Sequence, residues 1–143
     1  MGQLTTRANI EYVHALVASA NNTDVTSTVL DMQGYDGVVF IQHVTTGAAA
    51  GVATLYAYGH TANAASGAAI TGATATVTNG STYAGTNLIV DVYKPQKRYV
   101  YARITSGTDV ITFGQCHAIR YKGKMGPLAD PTTIAQLTRV VGS

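Results

Sequence analysis

Residues 88–105 read LIVDVYKPQKRYVYARIT. Two alternating runs of β-branched and aromatic residues flank a short basic break. Successive side chains of an extended chain point to opposite faces. Leu88, Val90 and Val92 therefore share one face, and Ile89, Asp91 and Tyr93 the other. Val100, Ala102 and Ile104 likewise oppose Tyr99, Tyr101, Arg103 and Thr105. A period of two over short segments predicts strands. The small apolar faces belong in a core, and the tyrosine faces suit a half-exposed surface. Pro95 has no N–H to give to a ladder and ends the first strand. Lys94, Gln96, Lys97 and Arg98 then lie at a tip or edge. Asp91 stands mid-strand and is expected to pair with Arg98 or Arg103 across a hairpin.

The same texture extends outward in both directions. Tyr12–Ser19, Thr26–Asp31, Val38–Val44, Thr54–Tyr58, Thr74–Thr78 and Val110–Tyr121 complete a set of about eight candidate strands. Gly/Asn/Thr turns separate them, and no crossover helices are visible that would join parallel strands. The expected fold is all-β: an antiparallel, jelly-roll-like sandwich of two stacked sheets. One segment predicts a short C-terminal helix. Asp130 suits its N-cap, Pro131 its first position, and Ile134, Leu137 and Val141 share a face. Thr45–Asn87 is dominated by small residues, which bury little area each at about 25 cal/mol per Å². It is expected to form long surface loops around two weak strands, or loops that order against a neighbour.

At 143 residues the chain fits one domain, 1–143. The segments 1–9 and 129–143 are candidate extended arms. Charged residues make up 11%, against about 25% in ordinary soluble domains. Such a neutral surface resists association only weakly, which favours packing against copies of itself or a larger body. The net charge of +2 is too small to argue for nucleic acid. Its distribution is uneven: seven of the nine basic residues lie between Lys94 and Lys124, where Asp109 is the only acid. Cys116 is the sole cysteine, so an internal disulfide framework is excluded. The N-terminus shows no apolar signal region, and no run approaches the length of a membrane helix. Synthesis in the cytoplasm and no membrane partner are therefore expected.

Reactive constellations are sparse. His14, His43, His60 and His117 are not paired with one another or with a carboxylate at metal-ligand spacing. Cys116 adjoins His117, but neighbours on a strand face opposite ways, so the thiol reads as a small core hydrophobe. No serine elbow, phosphate loop or CxxC is found. No catalytic residue, cofactor or metal is assigned, and the chain reads as a non-enzyme.

Three readings of the basic break stay open. Its charges could blunt a sheet edge against unwanted pairing. They could dock onto an acidic protein surface, with Lys94, Lys97, Arg98, Arg120, Lys122 and Lys124 as the contact set. Or tyrosines beside basic residues could stack on nucleic acid, which the low total charge disfavours.

The run LIVDVYKPQKRYVYARITSGTDVITFGQCHAIRYKGKMGP resembles a pattern in head-decoration (cement) proteins of tailed double-stranded DNA bacteriophages. Its parts are Asp91, Lys94-Pro95, Arg98-Tyr99, the strand to Thr105, the turn Ser106–Asp109, the strand to Arg120-Tyr121, and Pro127. The resemblance covers residues 88–131. It implies a jelly-roll-like homotrimer on the capsid exterior that clamps neighbouring major capsid proteins and stabilises the virion. The rival readings are a carbohydrate-binding sandwich of a phage fibre or adhesin, carried by Tyr56 and Tyr58, and a tail or head–tail joining subunit. A hydrolase with carboxylates assembled from distant strands is a further rival.

Overall fold

The computed structural model describes residues 8–14, 17–19, 24–78, 84–123 and 134–141. Among these there are eleven strands and no helix. The first sheet runs β1 (Ala8–His14), β10 (Ile111–Tyr121), β5 (Gly37–Gly47), β8 (Thr86–Tyr93) and β11 (Ile134–Val141), with β2 (Val17–Ser19) also on β10. The second runs β3 (Asp24–Thr26), β9 (Tyr99–Gly107), β6 (Val52–His60) and β7 (Ala68–Val77), with β4 (Leu30–Asp31) also on β9. Take β1/β2 and β3/β4 each as one interrupted strand. The layers then read β1-β10-β5-β8 and β3-β9-β6-β7, which is the interleaved connectivity of a jelly roll.

Alternation decides what lies between the layers. Val38, Phe40, Val44, Leu88, Val90, Val92, Ile111 and Phe113 are fully buried on the first sheet. The second sheet adds Leu55, Ile70, Val100 and Ile104, together with Ala53, Ala57, Ala73, Ala75 and Ala102. The first wall carries both phenylalanines, and the second intersperses alanines among its larger side chains, a pairing that fills space without strain. Cys116 is wholly buried among them, as its strand position predicts, and burial pushes its thiol up to about 12.

Four expectations are corrected. First, residues 134–141 form a strand where a helix was expected. β11 pairs parallel with β8, Leu137 opposite Ile89 and Val141 opposite Tyr93. The sequence IAQLTRVV is rich in β-branched residues, and an otherwise open sheet edge outweighs a weak helical period. This segment is thus docked on the chain's own sheet, and Ala8 and Asn9 already belong to β1; the rest of the two candidate arms lies outside the described residues. Second, Thr45–Asn87 holds the nine-residue β6 and the ten-residue β7, half of the second sheet. Alanine suffices there because the opposite wall is bulky. Third, β8 and β9 are not a hairpin. They lie in different sheets, so the basic break carries the chain from one layer to the other. Fourth, Asp91 meets neither Arg98 nor Arg103. It accepts a 2.7 Å hydrogen bond from the Tyr121 hydroxyl on the outer face of the first sheet.

Candidate interaction surface at the basic end

Two aspartates organise one end of the sandwich. Asp31 ends β4. Its carboxylate accepts Arg98 Nε at 3.0 Å and Nη2 at 2.8 Å, and the Gln33 backbone N–H at 2.9 Å. These donors, Arg98 first, pull its carboxyl down to about 2. Its carbonyl accepts Arg120 Nη1 at 2.6 Å. Asp36 ties three segments together. Its N–H donates to Tyr121 O at 2.8 Å, its carbonyl accepts Lys94 N–H at 2.6 Å, and its carboxylate accepts Gly123 N–H at 2.8 Å. The turn into β5, the break after β8 and the end of β10 are thereby joined. Lys94 sits at φ 50°, a left-handed conformation uncommon outside glycine. The bond to Asp36 holds that sharp change of direction in place.

Five of the six predicted contact residues are brought together around Leu30–Asp36. Lys94, Lys97 and Arg98 line a cleft of about 380 Å³ with Met32, Tyr35 and Asp36. The Arg120 guanidinium lies 4.6 Å from the centroid of the Tyr35 ring. Lys122 is exposed between Tyr121 and Gly123, both bonded to Asp36. Lys124 lies outside the described residues.

Their electrostatic states differ. Arg120 is drawn inward, its side chain 13% exposed and bonded to Glu11 of β1. Burial pulls its guanidinium below the usual value. It acts as an internal clamp between the layers. Arg98 is exposed but committed to Asp31. Lys94, Lys97 and Lys122 are exposed and form no ion pair among the described residues. The Lys94 ammonium lies 5.4 Å from the Tyr93 ring centroid. The Lys97 stem lies against Gly59 of β6, where an added Cβ would come within 3.1 Å of it. These lysines can take an external acidic group; the arginines hold the surface that presents them. Asp31 and Asp36 were missed by sequence reasoning as organisers. The sequence shows only an Asp36-Gly37 dipeptide of turn type, which says nothing of distant partners.

The tyrosine face of β9 is placed on the outer side of the second sheet. Tyr58 and Tyr101 stack at 5.3 Å, and the Arg103 guanidinium lies 5.8 Å from the Tyr58 centroid while bonding Asp24. Tyr101 is more covered than expected, 2% exposed, with its hydroxyl accepting the Gly67 N–H. The neighbours of Tyr58 thus already occupy its ring. Among the described residues no three His, Cys, Asp or Glu side chains come together as a metal site.

No protein-family model matches the sequence, and none of the curated proteins compared with it does. Several solved structures match. The exported protein XepA of PBSX superposes with a TM-score of 0.60 at 18% identity, over 95% of this chain. This chain spans 44% of XepA's length. A chain of the Bacillus endospore appendages gives a TM-score of 0.47 at 18% identity, over 82% of this chain and 90% of that one. One from the infectious bursal disease virus Gt strain gives 0.40 at 12%, over 82% and 32%. At 18% identity the likeness to XepA is one of fold.

Proposed function

We propose that this chain is a non-enzymatic structural protein of a phage virion, of the decoration type, which binds the capsid exterior through its basic end and stabilises the shell. The observation that carries this reading is the cluster Lys94, Lys97 and Lys122. Three ammonium groups that form no ion pair among the described residues stand at one end of the sandwich, beside arginines and aspartates already committed to each other. Rigid presentation lowers the ordering cost of docking. The partner with matching chemistry is an acidic protein surface, such as the major capsid protein. The homotrimer and the clamping of neighbouring capsid subunits rest on the sequence resemblance alone. A trimer strengthens weak contacts, because each docked subunit raises the effective concentration of the others. XepA, an exported protein of PBSX, shares the fold; the virion setting takes its support from the resemblance and the charge layout.

The test is co-sedimentation of the purified chain with expanded phage heads lacking their decoration. Wild type is expected to pellet with heads at micromolar concentration. Lys94→Glu with Lys97→Glu is expected to keep the fold and bind at least tenfold more weakly, and wild-type binding is expected to weaken as salt rises. Equal pelleting of both proteins would return these lysines to the role of an edge guard.

A further inference from the structure

The outer face of the first sheet carries a second concavity, at the far side from the basic end's chemistry. It is an open trough of about 570 Å³. His43 from β5, Asn87 from β8, and Gln115 and His117 from β10 wall it; Ile41 and Gly114 lie among them. None of the lining residues is an acid, a lysine or an arginine.

Three features build this trough into the fold. Between Phe113 opposite Val44 and Cys116 opposite Gln42, β10 has one residue more than β5. This bulge sets Gly114 and Gln115 against His43, the kind of irregularity that re-aims side chains at functional places. Gly114 is required there, since a Cβ would come within 2.8 Å of the His43 ring. Beneath it, the fully buried Gln42 donates its amide N–H groups to His43 O at 2.8 Å and Gly114 O at 2.9 Å. Gln42 thus pins the backbone under both walls, while its own Oε1 has no partner. A buried polar group left half satisfied costs stability, and such local violations concentrate at functional sites. The His43 ring is oriented in turn by Asn87, with Nδ1 3.2 Å from Oδ1.

We propose that this trough binds a neutral saccharide. Its walls offer amides and imidazoles, which both donate and accept and so match ring hydroxyls. Half-buried Ile41 provides an apolar floor for the C–H face of a pyranose. A charged ligand would find no counter-charge. Shallow, open sites of this kind bind a single sugar chain weakly and gain strength from several copies on one particle.

The test titrates the full-length protein with neutral oligosaccharides of glucose, mannose, galactose and N-acetylglucosamine, followed by calorimetry and by amide shifts of β5, β8 and β10. Saturable millimolar or tighter binding of at least one series is expected, unchanged by raised salt. Gln115→Ala, at an exposed position, is expected to keep the fold and weaken binding at least fivefold, and Asn87→Ala at least tenfold. Tyr56→Ala on the opposite sheet should leave it unchanged. Absence of saturable binding to every series would overturn the proposal. So would binding that survives both trough variants, or that disappears with Tyr56→Ala.

Discussion

Gln42 shows how much a single residue decides. The alternation of Val38, Phe40, Gln42 and Val44 places it in the core, and a sequence offers no reason for an amide there. The reason lies at the β10 bulge, where Gln42 donates to the carbonyls of His43 and Gly114. Gln42→Leu is expected to lower stability by about 1–3 kcal/mol, the cost of orphaned buried acceptors, read as a lower midpoint of urea unfolding. An unchanged midpoint would mean that those carbonyls find other donors. Asp31 is the other decisive residue. Its carboxyl is held at about 2, below the ordinary 3.8. A lowered carboxyl contributes stability above its ordinary value and loses it as pH falls through the folded one. The thermal midpoint of wild type is therefore expected to exceed that of Asp31→Asn at pH 6, with the gap closing as pH drops from about 4 to about 2. A gap that stays constant with pH would contradict the Asp31–Arg98 link. The Lys–Arg cluster was legible in the sequence; its two acidic organisers were not, because they act on residues far along the chain.

Among the elements, the strands whose apolar residues alternate cleanly were legible. β5, β8, β9 and β10 fall where period-two reading put them, within a few residues. β11 was not, and of β7 only the Thr74–Val77 end was. β7 is weak by its own composition, and only the bulky opposite wall makes alanines adequate partners. β11 has a sequence compatible with helix or strand, and its state is settled by the edge it covers. That strand also bridges the layers. The Thr138 hydroxyl donates to Thr74 O of β7, and the Gln136 side chain accepts the Thr76 N–H. Gln136→Ala with Thr138→Val removes both links while leaving the β8 ladder. The expected loss is about 1–3 kcal/mol, measured by urea unfolding. A loss below the error of that measurement would mean that β11 serves the first sheet alone. The break after β8 looked like a hairpin tip because a sequence does not say that the next strand joins the other sheet.

At the scale of the whole molecule, the faces divide the work. In the core, the Cys116 thiol is fully buried, and burial pushes it up to about 12. Arginines are spent on internal links to Asp24, Asp31 and Glu11, and lysines remain outward at one end. A protein that binds an assembled shell more tightly than its free subunits must stabilise that shell by mass action. The direct measurement is the temperature at which undecorated phage heads rupture, followed by light scattering or DNA release, with the chain added in excess. A rise of several degrees is expected with wild type, and little or none with Lys94→Glu and Lys97→Glu. Rupture at the same temperature with and without saturating wild-type protein would contradict the proposed role.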